Sequence, residues 1–346
     1  MRYIGLDVHQ RRTTVATLDD QTGEVASRSV PTVELTTHLS AQPGELRIVL
    51  EAGGNSWFVA QQLLSCGWEV VVVHPAYTRP ILATYGRAKT DRRDAEALVQ
   101  AFARGQLEKA VIWMPGPWIA DLRELTRGRE QLVKQGTKLQ VAIRQALQRW
   151  GESCPHAKLP GKHAQAWLDD LEVRLRPAQR AVLASLRRAL AAHTAESDAL
   201  SAEIEAWVRD HPDVQRLRTL IGVGVQTAAV IVAEIGDIRR FETAAQLRSY
   251  SGLVPHVKQS GERSFTGPLT KAGNAHLRRV MVLAAQHFVQ SHATRDLRVR
   301  RWYARLVYRH GPNPAKVALA RRLLDILFAM LRDGTTFDAE RYALAA

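Results

Sequence analysis

Tyr3-Ile4-Gly5-Leu6-Asp7-Val8-His9 reads as a short buried strand, apolar on both faces, with one carboxylate near its C-terminal end. A charge in such a place is costly unless something compensates it. A cation shared with other carboxylates would do so. Three candidates follow, Glu51, Asp91 and Asp94, each placed where a strand or helix can aim it at Asp7.

Working outward, Thr13-Thr14-Val15-Ala16-Thr17-Leu18 reads as a second strand, Asp19-Asp20-Gln21-Thr22-Gly23 as a hairpin turn, and residues 25–30 as a third strand. A short helix near residues 33–39 leads to Leu46-Arg47-Ile48-Val49-Leu50-Glu51, a buried strand ending in a carboxylate. Gly53-Gly54-Asn55 turns the chain into an amphipathic helix over 57–64. Trp68-Glu69-Val70-Val71-Val72-Val73 is a fifth strand, closed by His74-Pro75. Three antiparallel strands followed by strand–helix–strand alternation is the order of an α/β ribonuclease-H-like fold.

In Lys89-Thr90-Asp91-Arg92-Arg93-Asp94-Ala95, Thr90 or Asp91 can cap a helix running to about Ala103. Residues i and i+3 share a helix face, so both carboxylates can point one way. Two like charges that close repel unless a cation lies between them. Ligation by oxygens alone suits Mg²⁺ or Mn²⁺, which can activate an attacking oxygen and stabilise a leaving one in phosphoryl transfer. Taken singly, Asp7 could simply end a strand, Glu51 could pair with an arginine and Asp94 could be solvated beside Arg92 and Arg93. The joint pattern is what points to chemistry. Glu69 and Glu96 fit no such geometry, and His9 and His74 are read as structural because the site is hard.

The chain has 346 residues, 46% hydrophobic and 24% charged, enough for a packed core and two or three domains rather than a disordered chain. Its net charge of +14 is uneven: residues 1–100 carry 10 basic and 11 acidic side chains, residues 101–346 carry 38 and 23. A neutral first part and a basic remainder suggest chemistry in one and polyanion binding in the other. No apolar run reaches the roughly 18 residues of a membrane span, and no secretion signal is visible. Cys66 and Cys154 lie far apart, which argues against structural zinc and for a reducing cytoplasm.

Pro115-Gly116-Pro117 marks a boundary. Beyond it Trp118, Leu122, Leu125, Leu132, Leu139, Ile143 and Trp150 step by threes and fours, with Arg129 and Gly136 interrupting. After a loop at 151–160, Leu183, Leu186, Leu190, His193, Ser197, Leu200, Ile204 and Trp207 repeat the spacing. This predicts two long helices in an antiparallel, coiled-coil-like hairpin that could pair with a second copy or form a helical core. Arg123, Arg127, Arg129, Lys134, Lys138, Arg144 and Arg149 along the first of them lean toward nucleic-acid contact. Residues 217–228, with Gly222-Val223-Gly224 at the turn, resemble a helix-hairpin-helix whose backbone N–H groups can hold a phosphate.

Another short helix is expected at 241–250. A glycine-flanked loop then runs from Ser251 to Arg263, with Ser251, Ser260, Ser264 and Lys258 in or beside it. A serine there could attack a phosphodiester if activated, although serines in a loop mean little by themselves. Lys271, Arg278 and Arg279, at a helix from about Asn274, could clamp phosphate oxygens. Arg298, Arg300, Arg301, Trp302, Tyr303, Arg305, Tyr308 and Arg309 interleave bases with aromatics, as a nucleic-acid groove does, though half of that stripe must face the core. Pro312 and Pro314 open a last amphipathic helix at 315–331.

The motifs Gly5-Leu6-Asp7-Val8-His9, Leu50-Glu51-Ala52-Gly53, Lys89-Thr90-Asp91-Arg92-Arg93-Asp94-Ala95, Gly252-Leu253-Val254-Pro255 running to Ser260-Gly261, Thr270-Lys271-Ala272-Gly273-Asn274 with Leu277-Arg278, and Ala315-Lys316-Val317-Ala318 stand in order along the whole chain. In these it resembles the DEDD transposases of bacterial insertion sequences, understood as RNA-guided (bridge-RNA) recombinases. The resemblance implies a RuvC-like, Holliday-resolvase-like domain at 1–112, a coiled-coil domain at 113–213 and a mainly α transposase domain at 214–346. It implies a metal-binding tetrad of Asp7, Glu51, Asp91 and Asp94 with Mg²⁺ or Mn²⁺, and Ser260 as nucleophile with Ser251 ranked second. It also implies strand exchange through a 5′-phosphoserine and a four-way junction. Donor and target DNA would be chosen by a structured guide RNA, in dimers or tetramers whose active sites can combine one chain's carboxylates with another's serine. The setting would be the bacterial cytoplasm and nucleoid. Two other readings stay open: a junction endonuclease using the tetrad and water, and a nucleic-acid-binding scaffold with inert acids.

Overall fold

The run Leu46–Glu51 and its neighbours are apolar on both faces because the sheet they form is covered on both sides. The computed structural model describes residues 1–85, 90–260, 263–269, 272–295 and 297–340, and for residues 255–260, 263–266 and 268 it describes the backbone alone. By its contacts the chain divides into two compact units, Met1–Met114 and Pro115–Ala346.

In the first unit, β1 (Arg2–Val8) pairs antiparallel with β2 (Arg12–Asp19), which pairs antiparallel with β3 (Val25–Pro31). After α1 (Leu35–Ser40), β4 (Leu46–Glu51) lies parallel to β1 in the register Leu6↔Leu50. Then α2 (Ser56–Ser65) leads to β5 (Glu69–Val73), parallel to β4, giving the order β3-β2-β1-β4-β5. Ile4, Leu6, Ile48 and Leu50 pack with Leu35, Leu39, Val59 and Leu63 of α1 and α2. On the opposite face, Val49 and Val73 pack with Leu98 and Ala101, and Ala16 packs with Ala95 and Val99, all from α4 (Asp91–Ala103). The sheet and its helices are compatible with a ribonuclease-H-like domain, as the order of elements predicts. The sequence reading missed α3 (Pro75–Leu82). Pro75 opens this helix at a position that suits proline, and His74 caps it, its Nδ1 accepting from the Ala76 N–H at 3.1 Å.

In the second unit, α5 (Pro117–Arg149) and α7 (Pro177–Trp207) run antiparallel. Trp118 at the start of one stacks on Trp207 at the end of the other, with ring centroids 6.4 Å apart. The supposed interruptions belong to the seam: a Cβ on the buried Gly136 would stand 3.9 Å from Leu190, and Arg129 donates to Ser201 Oγ at 2.6 Å. Between the two helices lies α6 (Lys162–Arg174), unforeseen in the sequence. It packs Leu168 and Leu171 against Ile143, Leu147 and Leu183.

The remaining elements are α8 (Pro212–Arg218), α9 (Val225–Ile235), α10 (Ala244–Ser251), β6 (Pro255–Ser260), β7 (Arg263–Leu269), α11 (Ala275–Gln290), α12 (Arg298–His310) and α13 (Pro312–Asp333). The serine-bearing segment expected as a loop is therefore a β-hairpin, with Lys258↔Phe265 and Ser260↔Arg263 as register partners. Its polar sequence hides it, because the pairing supplies what alternation lacks. α9 is buried along nearly its whole length and carries Glu234, fully shielded from solvent, into the core.

Buried charges need partners, and the basic residues of α5 supply them. Arg127 binds Glu234 through two nitrogens at 2.8 Å each, and Arg123 donates to the carbonyls of Ala233 (2.7 Å) and Glu234 (3.2 Å). Arg144 caps the carbonyls of His156 and Ala157. Glu130, also buried, takes Lys134 at 2.7 Å, His276 Nδ1 at 2.6 Å and Arg279 at 3.0 Å. The arginines expected to favour nucleic acid thus brace helices to one another.

Burial would raise the Glu130 carboxyl, but its bonds to Lys134 and His276 and the charge of Arg279 outweigh that and hold it at about 2. A carboxyl lowered in the folded state stabilises the protein above its unfolded value, near ~4.5, and loses that contribution as pH falls toward ~2. Glu130→Gln is therefore expected to lower stability at pH 7 by on the order of 2–3 kcal/mol. It should also flatten the dependence of stability on pH below ~5, checked by denaturant unfolding across that range. A parallel offset at every pH would contradict the assignment.

Candidate active site

Asp7 and Glu51 stand at the carboxyl ends of adjacent parallel strands, each one residue beyond the last pair of their ladder, Leu6↔Leu50. Side chains alternate along a strand. Asp7 therefore shares the face of Gly5 and Glu51 that of Val49, and both faces meet α4. Gly5 is what lets α4 come so close. A Cβ there would lie 2.6 Å from the Ala95 carbonyl oxygen and 2.9 Å from the Val99 nitrogen, so the helix backbone rests directly on β1. Thr90 caps α4, its hydroxyl accepting from the Arg93 N–H at 3.3 Å, which places Asp91 and Asp94 in the first turn. The partial positive charge at a helix N-terminus favours carboxylates there.

Carboxylate oxygens of Asp7 and Asp91 and Nε2 of His9 lie within 4.8 Å of one another, with His9 Nε2 3.3 Å from Asp7 and 3.5 Å from Asp91. His9 is held by its backbone: its carbonyl accepts from Thr32 Oγ1 at 2.9 Å and Asn55 Nδ2 at 3.1 Å, and its N–H donates to the Arg12 carbonyl. Burial pushes the Asp7 carboxyl above the usual range. Asp91 and Asp94 push it further, and His9 opposes them. Asp94 is thus close enough to act on Asp7 by its charge, although its oxygens are outside the tight group. Glu51 is outside it as well, its carboxylate accepting from the buried hydroxyl of Thr78.

Two site residues escaped the sequence reading, His9 as a member of the cluster and Thr78 as the holder of Glu51. A histidine two residues after Asp7, at the end of the same strand, is the signal that could have found the first. Thr78 had no signal, because it sits on the unforeseen α3. Glu96 accepts from Ser27 Oγ at 2.7 Å and from Arg92 at 2.8 Å. Closely spaced carboxylates with an imidazole form a donor set that fits a hard or borderline divalent cation such as Mg²⁺ or Mn²⁺.

In the second unit the backbone of Ser260 ends β6, while its side chain, like those of Lys258 and Arg263, lies outside the described part; Lys271 lies outside the described residues altogether. Ser251, the other serine considered, is fully buried at the end of α10. Its hydroxyl donates to the Arg248 carbonyl at 2.8 Å and accepts from the Leu253 N–H at 3.2 Å.

The phosphate-contact assignments fare unevenly. Gly222 (φ +89°) turns the chain against α11, where a Cβ would lie 2.6 Å from the Ala284 carbonyl oxygen, so its role is close packing. Gly224 caps α9 with open space around its Cα. Arg279 pairs with Glu130, Arg278 donates to the carbonyls of Ser251 and Ala272, and Arg300 donates to the Val289 carbonyl. Arg301, with Arg298, Arg305 and Arg309, lies on the exposed side of α12, whose Val299, Trp302 and Tyr303 face the core.

Two family models match the chain: the DEDD IS110 model, described as a transposase, over residues 4–151, and the Transposase IS116/IS110/IS902 family over residues 214–300. The chain is similar to the transposase for insertion sequence element IS1111A of Coxiella burnetii, 28% identical over 84% of this chain and 79% of that protein. It is similar also to a probable family 20 transposase of Pseudomonas aeruginosa, 27% identical over 96% of this chain and 98% of that protein. An insertion element IS110 protein of Streptomyces coelicolor is 40% identical over 46% of this chain and 38% of its own length.

Because the native fold holds Asp7 against burial and two like charges, removing its charge is expected to stabilise the metal-free protein. Asp7→Asn should melt above the wild type at pH 7, and the difference should fade as pH falls toward ~4 and vanish below ~3, where Asp7 is neutral in both folded and unfolded chains. In the wild type Mg²⁺ or Mn²⁺ should raise the melting temperature, and in the variant it should raise it much less. Equal melting of the two proteins at pH 7 would contradict the crowding of charge around Asp7.

Proposed function

The chain belongs to the DEDD-type transposases of insertion sequences, and on that premise we propose that it excises and inserts its own element by metal-dependent strand exchange through a serine–DNA linkage. The observation that carries this reading is the cluster of Asp7, His9 and Asp91 with Asp94 beside it, at the carboxyl ends of β1 and β4. Asp7, Glu51, Asp91 and Asp94 would hold Mg²⁺ or Mn²⁺. When bound, the ion lowers the pKa of an oxygen nucleophile and offsets the charge that develops on phosphate. Ser260 is the nucleophile: its hydroxyl loses a proton and forms a bond to phosphorus, while the bond from phosphorus to the 3′ oxygen breaks. The strand is left with a free 3′-hydroxyl and a 5′-phosphoserine. Attack by a 3′-hydroxyl of another strand reverses the step and releases the serine.

Ser260 is favoured over Ser251 because the latter's hydroxyl is buried and already engaged with the backbone of its own helix end. The choice of DNA is assigned to a structured guide RNA, with the protein reading backbone and shape, a division known from other RNA-guided enzymes. The basic excess of residues 101–346 and the exposed arginines of α12 support polyanion binding.

The test uses the purified full chain, RNA transcribed from the DNA flanking the gene, and a labelled duplex carrying the element's end with a nick. Wild type with Mg²⁺ should give a covalent protein–DNA adduct resistant to denaturant. Ser260→Ala should give none, Ser251→Ala should keep it, and Asp7→Ala or Asp94→Ala should slow it at least ~100-fold. Strand cleavage that persists in Ser260→Ala would instead support water as nucleophile, as in a junction endonuclease. A separate prediction concerns α12. The double charge reversal Arg301→Glu with Arg305→Glu should weaken binding of nucleic acid of any sequence and reduce the slope of log K against log salt by ~1–2, measured by filter binding from ~50 to ~200 mM salt. An unchanged slope would remove α12 from the interface.

A further inference from the structure

Resting on the reading of Ser260 as nucleophile, we propose that Arg278 is a positioning residue: with Gly252 and Gly273 it clamps the two stems of the β6–β7 hairpin together and so sets the direction in which Ser260 is presented. Arg278 carries out this role away from the phosphates it was expected to bind.

The incoming stem leaves α10 through Gly252, a left-handed cap (φ +67°) followed by the fully buried Leu253. The outgoing stem returns through Ala272 and Gly273 (φ +87°) to Asn274, the cap of α11. The stems interlock without a gap. A methyl group on Gly252 would overlap the Ala272 carbonyl and the Arg278 guanidinium. One on Gly273 would lie 2.5 Å from the Tyr250 carbonyl oxygen and 3.0 Å from the Gly252 nitrogen. Both positions therefore need glycine for space as well as for backbone conformation.

A single nitrogen of Arg278, Nη1, joins the two sides, donating to the Ser251 carbonyl on one stem and the Ala272 carbonyl on the other, each at 3.2 Å. Asn274 completes the closure. Its N–H donates to the Tyr250 carbonyl at 2.7 Å, and its Nδ2 donates to the buried Glu234 at 2.7 Å and to the Tyr250 hydroxyl at 3.1 Å. Glu234 is gripped in turn by Arg127 of α5. The hairpin is thus tied at its base, eight to ten residues before Ser260 on the incoming side, to Glu234, the most deeply buried charge among the described residues of the unit. A reacting oxygen displaced by about 1 Å can lose ~100-fold in rate, so an anchor at that distance governs chemistry without touching substrate.

Full-length Arg278→Ala and Arg278→Lys are compared with wild type by amide hydrogen exchange of residues 255–269, by adduct formation at saturating DNA, and by DNA affinity against salt. A clamp predicts exchange in the hairpin at least ~10-fold faster in Arg278→Ala. Adduct formation at saturation should be slowed ~100-fold, with affinity and salt slope within ~2-fold of wild type. Arg278→Lys keeps the charge but reproduces the two-carbonyl bridge poorly, so it should share the defect in part. A phosphate contact predicts the reverse: near-normal Arg278→Lys, a salt slope smaller by ~1 in Arg278→Ala and unchanged exchange; that result overturns the proposal. If Arg278→Ala melts as a whole, Arg278→Lys alone decides between the two patterns. If wild type forms no adduct dependent on Ser260, the nucleophile reading fails by itself. The exchange data still judge the clamp, and unchanged hairpin exchange in both variants sinks it.

Discussion

A helix can approach a strand only as closely as the side chains between them allow, and at Gly5 there is no side chain. The backbone of α4 therefore lies on β1, with the Ala95 carbonyl oxygen where a methyl group would otherwise be. The approach of Asp91 and Asp94 to Asp7 follows from that contact. Two residues along the strand from Gly5 comes Asp7, while on the helix Asp94 directly precedes Ala95 and Asp91 lies one turn before it. Any larger residue at position 5 shifts the helix and moves two carboxylates at once, since both ride on its first turn. The like charges brought together are tolerated because the helix N-terminus attracts anions and because Asp91 stays exposed to water. Burial and the neighbouring charges still hold the Asp7 carboxyl above its usual range, and such a group of donors suits a divalent cation.

The parts of the chain most legible from sequence were those where one local rule decides. A strand apolar on both faces belongs inside a sheet covered on both sides, and the first and fourth strands lie there, while the fifth, as apolar, forms the sheet's edge. Thr90 and Asp91 were both open as the cap, and either put the acidic pair at the helix start; the structure has Thr90. The failures share a cause as well: each needed a partner distant in sequence. The β6–β7 hairpin has no alternation to announce it and exists by mutual pairing. Helix α6 is held by leucines meeting α5 and α7. Helix α3 carries Pro80 inside it, which breaks the periodic signal. Gly136 looked like a break in a stripe, whereas it is buried in the seam, where it leaves room for Leu190 of α7. His9 was set aside by the softness of its nitrogen, yet its position beside Asp7 and Asp91 is a matter of turn geometry, fixed by Thr32, Asn55 and Arg12.

The arginines of the second part act at two ranges. The second part of the chain has a large basic excess, and its long-range field attracts polyanions whatever each side chain does. Short-range contact is another matter. Arg123, Arg144, Arg278 and Arg300 spend donors on backbone carbonyls at helix ends and turns, and Arg127 and Arg279 on buried carboxylates. The planar guanidinium, with several fixed donors, suits this bracing better than an ammonium does. Net charge therefore describes attraction at a distance, while the contact surface is better sought where arginines lie on a face turned away from the core, as on α12.

The bracing also has a direction. An apolar core of equal volume could match the stability that a buried Glu234 and its arginine contribute, but apolar contacts permit helices to slide, and bonds to a carboxylate do not. Arg127, Asn274 and Glu234 meet through bonds of 2.7–2.8 Å that hold only in one mutual arrangement of α5, α9 and the start of α11. From that same start Gly273 and Ala272 lead back into the hairpin. The costly burial of one carboxylate thus ends in a fixed exit angle for the strands that carry Ser260. Arg127, on a helix read from sequence as a basic face, thus braces the base of the hairpin that carries Ser260.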